Sequence, residues 1–157
     1  MAKWALGGVM KRASVWGVIA VLGLIAGLVL VSHGVGVQSA SSPAVLPWVP
    51  DLPTALSRAG GENKLVMVDF YTDWCRWCKL MDQNTFTDAS VQKALQQVVP
   101  VRLNAETDGR DVAQRFNVEG FPTLIFLDSR GAEVGRIPGY LDPGSFLDQL
   151  HNIMKKV

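Results

Sequence analysis

Apolar residues are arranged in two ways along this chain. Residues 14–32 form one unbroken uncharged run of mostly Val, Ile, Leu, Ala and Gly, whereas from Leu52 onward short apolar stretches alternate with polar ones. In the second part the spacing predicts a helix over 52–59, with Pro53 in its first turn and Gly60-Gly61 ending it. An apolar, β-branched run over 65–71 predicts a buried strand, and a helical pattern follows from Cys75 to about Asn84, with Leu80 and Met81 facing inward. Asp88 or Ser90 caps a further helix through Gln97 that carries Val91, Ala94 and Leu95. Strand 98–103, a polar-faced helix 108–116 and strand 124–127 come next, then a turn at Ser129-Arg130-Gly131 and an alternating edge strand 133–137. The last element is an amphipathic helix over 142–156, with Phe146, Leu147, Leu150, Ile153 and Met154 on its apolar side. After the initial helix the order is β-α-β-α-β-β-α. It predicts an α/β fold: a βαβ unit sets the first strands parallel, a short turn sets the last pair antiparallel, and helices cover both faces of the mixed sheet.

The 19 residues of 14–32 would span about 28 Å as a helix, close to the hydrocarbon thickness of a bilayer. Lys3, Lys11 and Arg12 precede the run, and no Lys or Arg follows until Arg58. That asymmetry predicts residues 1–13 in the cytoplasm, a single-pass anchor in the cytoplasmic membrane, and the remainder on the extracytoplasmic side. A cleaved signal peptide is the alternative, with Val37-Gln38-Ser39 or the Ser/Ala cluster to Ser42 as its weak cleavage site. Gly23 and Gly27 read as ordinary glycines of a membrane helix rather than as a dimerisation pair. Residues 33–51 are Gly/Ser-rich and then Pro-rich, which predicts a tether. Trp48 within it would either dock on the domain or sit near the lipid headgroups. The domain proper is expected over 52–157.

At 157 residues the chain allows one domain large enough to bury a core without covalent staples. A net charge of +1, with no basic stripe interleaved with aromatics, argues against a nucleic-acid partner. The chemistry therefore rests on its two cysteines, Cys75 and Cys78, two residues apart where strand gives way to helix. A disulfide across so short a loop removes little unfolded-state entropy, so a structural role is a poor explanation. A thiol at a helix N-terminus is instead favoured as the thiolate, the form that attacks disulfides. Cys75 is the expected nucleophile, the more exposed of the two and assisted by the charge of Arg76; Cys78, one turn deeper, is the resolving thiol. His33 and His151 would complete a zinc site by count, but their spacing fits no metal finger, and no metal site is expected.

Asp69-Phe70-Tyr71-x-x-Trp74-Cys75-x-x-Cys78-Lys79, with Gly120-Phe121-Pro122-Thr123 downstream, resembles the thioredoxin superfamily. Asp73-Trp74-Cys75, Asn84-Thr85-Phe86 and Val91-Gln92-Lys93-Ala94-Leu95 are most similar to the C-terminal periplasmic domain of the DsbD-type thiol:disulfide reductases. The resemblance implies a thioredoxin-like fold and thiol–disulfide exchange with no cofactor beyond the Cys75–Cys78 disulfide. It implies that Asp69 is a buried acid accepting the proton of Cys78, against the simpler reading of a strand-end Asp paired with a base such as Arg102. It implies that Pro122 is a cis-proline whose neighbour Phe121 faces the cysteines and pairs with an extended substrate. Trp74 and Trp77 would form an apolar docking surface, or Trp74 would mainly pack on the fold. DsbD-type proteins fuse this domain to a many-helix electron-conducting core, whereas this chain holds one helix at most and no further cysteines. A separate transmembrane electron donor is therefore expected, with disulfide-containing exported proteins as substrates. An oxidase or isomerase using the same site, a copper-binding metallochaperone and a non-enzymatic binding module are the alternatives.

Overall fold

Strand β1, Leu65–Tyr71, is apolar on both faces except at Asp69, because it lies inside the sheet and is covered from both sides. In the computed structural model, which describes residues 46–156, β1 pairs in parallel with β2, Val98–Asn104, from Leu65 opposite Val98 to Tyr71 opposite Asn104. On its other side it pairs antiparallel with β3, Thr123–Leu127, which pairs antiparallel with β4, Glu133–Pro138. The strand order is β2-β1-β3-β4, and the sheet is mixed, as the sequence predicts. The expected anchor 14–32, its cleavage alternative and His33 lie outside the described residues. Among the described residues, no helix is long and apolar enough to cross a membrane.

Period-two alternation sorts the core into two layers. Val66, Val68, Phe70, Ile125 and Leu127 pack with Ala55 and Ala59 of α1, Leu52–Glu62, and Ala113 of α4, Arg110–Arg115. Leu65, Met67, Leu124 and Phe126 pack on the opposite side. Their partners include Val91 and Leu95 of α3, Ala89–Leu95, and Phe146, Leu150 and Ile153 of α5, Pro143–Met154. Asp88 caps α3 by accepting from Ser90 and Val91 N–H, and Asp142 caps α5 by accepting from Gly144 and Ser145 N–H.

Three local features differ from the sequence expectation. Helix α1 runs through Gly60-Gly61 to Glu62 and ends at Asn63, whose N–H still donates to the Ala59 carbonyl and whose left-handed conformation (φ 51) turns the following Lys64 N–H back to the same carbonyl at 3.0 Å. Asn tolerates that conformation and closes the helix, while the buried Ala55 and Ala59 hold the turns between. Helix α2, Arg76–Leu80, passes directly into a π-helical turn, Met81–Thr85, instead of staying α-helical to Asn84. The chain ahead of α1 is the third: Leu46 is buried, Trp48 meets the Phe86 ring edge-on at 5.7 Å, and Val49 N–H donates to the Pro100 carbonyl at 2.9 Å. Val49 thereby bridges Val101 in parallel and runs along the outer side of β2. Residues 46–49 form a strap laid on the domain, and Trp48 docks there.

Candidate active site

Cys75 is the N-cap of α2, and its Sγ accepts the N–H of Cys78 at 3.0 Å. The two sulfurs are joined, with an S–S distance of 2.04 Å. Both cysteines are only 3% exposed, so Cys75 is not the more accessible residue expected from the sequence. In the oxidised pair its sulfur is bonded to Cys78 and turned toward the start of the helix. What stands out to solvent is its neighbours: Trp74 is 67% and Trp77 54% exposed, unusual for such large apolar side chains.

Those indoles are held in place. Trp74 Nε1–H donates to Glu106 Oε1 at 3.0 Å, and its ring meets Phe121 edge-on at 6.1 Å. Trp77 lies 5.7 Å from the Tyr140 ring, with the planes 30° apart. Phe121–Pro122 is a cis peptide, and the Pro122 carbonyl accepts the N–H of Gly139, next to Tyr140, at 2.8 Å. The structure thus gathers Cys75, Cys78, Trp74, Trp77, Phe121 and Pro122 from distant parts of the sequence into one neighbourhood. Arg76 is exposed at the first position of α2. Gly109 keeps the loop after β2 close to the sheet: a Cβ there would stand 2.7 Å from Leu103 Cβ and 2.9 Å from the Asn104 carbonyl oxygen.

Asp69 shares the side of β1 that carries Leu65 and Met67, and it is 1% exposed. In the parallel register it stands opposite Arg102 of β2, whose Nε lies 3.1 Å from Asp69 Oδ2. That contact is ionic only, because neither carboxylate oxygen of Asp69 has a hydrogen-bond partner. Arg102 instead donates from Nη2 to Asp82 Oδ2 at 2.9 Å, and its guanidinium sits 4.5 Å from the Tyr71 ring and 5.6 Å from that of Trp48. Burial pushes the Asp69 carboxyl up from its ordinary value of 3.8 to about 7; Arg102 opposes the rise and Asp82 adds to it. A carboxyl balanced near neutrality can take or return a proton at physiological pH.

Four residues that sequence reasoning passed over join the site. Asp82 lies four positions after Cys78, a spacing that sequence counting could have flagged. Thr72 is buried with an unpartnered hydroxyl, and its carbonyl accepts the Cys75 N–H at 3.1 Å. Glu106 and Tyr140 arrive on loops with no sequence signal of their own. Among the described residues, no group of three or more His, Cys, Asp or Glu could hold a metal ion.

A parallel-plus-antiparallel sheet with a disulfide at the N-cap of the helix after its central strand, beside a cis-proline loop, defines a thiol–disulfide oxidoreductase. Residues 52–153 match the family described as a thioredoxin-like domain, and the chain belongs to that family. The thiol:disulfide interchange protein DsbD of Cronobacter sakazakii is 41% identical over 112 residues, which is 68% of this chain and 19% of that protein. This chain spans about a fifth of the length of the curated relatives it matches. The solution structure of a thioredoxin from Thermus thermophilus superposes with a TM-score of 0.65 at 32% identity, covering 72% of this chain and 90% of that one. The oxidised C-terminal domain of Neisseria meningitidis DsbD shares the fold, with a TM-score of 0.56 at 24% identity over 67% of this chain and 97% of that domain.

Proposed function

We propose that this protein is a membrane-anchored periplasmic reductase that delivers electrons to disulfides of exported proteins. The observation that carries the reading is the buried carboxyl of Asp69, without a hydrogen-bond partner, on the strand that leads into Cys75 and Cys78. In the reduced enzyme the Cys75 thiolate, favoured by the helix start and by Arg76, attacks one sulfur of the substrate disulfide. An enzyme–substrate disulfide forms, and the first substrate sulfur leaves as a thiolate. Asp69 takes the proton of Cys78, whose sulfur then attacks Cys75 Sγ; the second substrate sulfur departs and the Cys75–Cys78 disulfide closes. Two electrons have passed to the substrate. A separate transmembrane dithiol protein restores the enzyme by the reverse sequence. Trp74, Trp77 and Phe121 offer the incoming chain an apolar rim, and the backbone beside Pro122 offers it main-chain pairing.

The likeness to DsbD supports reduction as the direction. Arg76 favours the opposite one, since a stabilised thiolate makes a disulfide more oxidising, and it supports an oxidase or isomerase as the second reading. The reduction potential of the Cys75–Cys78 pair decides between them. A value near about −270 mV is expected for the reductase, and one between about −180 and −120 mV would reverse the direction. A Cys78→Ser variant is expected to accumulate an enzyme–substrate disulfide through Cys75, visible on non-reducing gels. Failure to trap any partner would sink the exchange mechanism.

A further inference from the structure

The strap ahead of α1 touches the charged group that faces Asp69. We propose that Trp48 is a positioning residue for thiol–disulfide exchange, walling the Arg102 guanidinium against Asp69 from outside the sheet. The inference rests on the exchange chemistry of the site and not on its direction.

Two contacts of Arg102 pull it unequally. Its bond to Asp82 is a hydrogen bond at 2.9 Å, and the Asp82 side chain is 37% exposed. Its contact with Asp69, at 3.1 Å, lacks hydrogen-bond geometry and depends on charge and distance alone. An arginine pinned to the outer acid and merely attracted to the inner one drifts outward unless something covers it. The Trp48 ring, 5.6 Å from the guanidinium, is placed to do so by favourable cation–π contact and by excluding water.

The placement of Trp48 is built into the fold. Its own N–H donates to the Leu46 carbonyl at 2.8 Å, the next residue is tied to Pro100 and bridges Val101, and Val101 directly precedes Arg102 in β2. The Phe86 ring backs it from the domain side. The ionisable groups facing this cluster are Asp69 and Tyr71 from β1, Asp82 from the π-helical turn, and Arg102 itself. Asp69's neighbour on β3 is Leu124, which adds no charge. Without Trp48, Arg102 follows Asp82, Asp69 loses counter-charge, and its proton is held to higher pH.

The test titrates the Asp69 carboxyl by carbon-13 NMR in the full-length oxidised protein, where neither cysteine carries a proton. Trp48→Leu keeps apolar bulk but removes the ring face, and its midpoint is expected to rise by roughly half a pH unit. Trp48→Phe keeps a ring and is expected to stay within a small fraction of that shift. Val49→Pro removes the N–H that ties the strap to Pro100, so it is expected to move the midpoint the same way and serves if Trp48→Leu fails to fold. The pH profile of single-turnover exchange should shift with the midpoint in Trp48→Leu, and should show no such shift when Trp48→Leu is added to Asp69→Asn. Titration of both strap variants at the wild-type midpoint, with only thermal stability lowered, would reduce Trp48 to packing. A fall in the midpoint would also overturn the proposal, because water entry would then outweigh the loss of counter-charge. A wild-type protein without exchange activity would defeat the proposed function while leaving this titration readable.

Discussion

The two faces of the sheet come from the same four strands yet differ in one respect. On the side of α1 and α4, β1 contributes Val66, Val68 and Phe70, all fully buried and all apolar. On the side of α3 and α5 it contributes Leu65 and Met67 and then, at the next alternate position, Asp69. A single step in the alternation turns a core position into a buried acid with no hydrogen-bond partner. One face is thus free to maximise packing, while the other buries a titratable carboxyl at a cost in stability.

The sharpest test of that division is on the apolar face. Phe70→Ala is expected to lower unfolding free energy by about 3–5 kcal/mol in chemical denaturation. In the folded variant the Asp69 midpoint should not move; a large shift would show that the two faces are coupled. Next in size is the polar face. Folded Asp69 holds its proton up to about pH 7, whereas its ordinary value is 3.8. Between those limits the native state binds more protons than the unfolded chain, so stability falls as pH rises from about 4 to 7 and then levels off. The gap corresponds to roughly 4 kcal/mol, so oxidised Asp69→Asn should exceed the wild type by up to that amount at pH 8 and match it near pH 4. Parallel stability curves for the two proteins would remove Asp69 as the origin of the slope. The smallest effect belongs to the exposed rim. Glu106→Ala deletes the acceptor of the Trp74 indole and should cost about 1 kcal/mol or less, while raising the rotational freedom of that indole in fluorescence anisotropy.

Much of this was legible in the sequence because it rests on period and punctuation. The β-branched run of β1, Asp88 at the start of α3, and the parallel first and antiparallel last strand pairs all follow from local pattern. The cysteine spacing and the Phe121-Pro122 pair located the site, and the resemblance supplied the cis bond. What escaped depends on contacts between distant segments. Asn63 overrides two glycines as the end of α1 because its left-handed turn, not glycine content, closes the helix. Trp48 could be placed only once β2 offered the Pro100 carbonyl to Val49. Glu106 and Tyr140 become site residues through partners 32 and 63 positions away, Trp74 and Trp77. The burial of Cys75 reflects its bond to Cys78, and helix position alone does not report it.

The strap has one more effect, on how this protein keeps company with other chains. Strand β2 reads Val-Val-Pro-Val-Arg-Leu-Asn and lies at the rim of the sheet, a composition and a position that together invite another strand to add on. Pro100 withholds a donor in the middle of that rim, and Val49 already occupies the Pro100 carbonyl. This margin is thus already bridged at Val49 by a piece of the same chain. A rim interrupted by proline and bridged by its own chain is a poorer template for strand addition than an open edge.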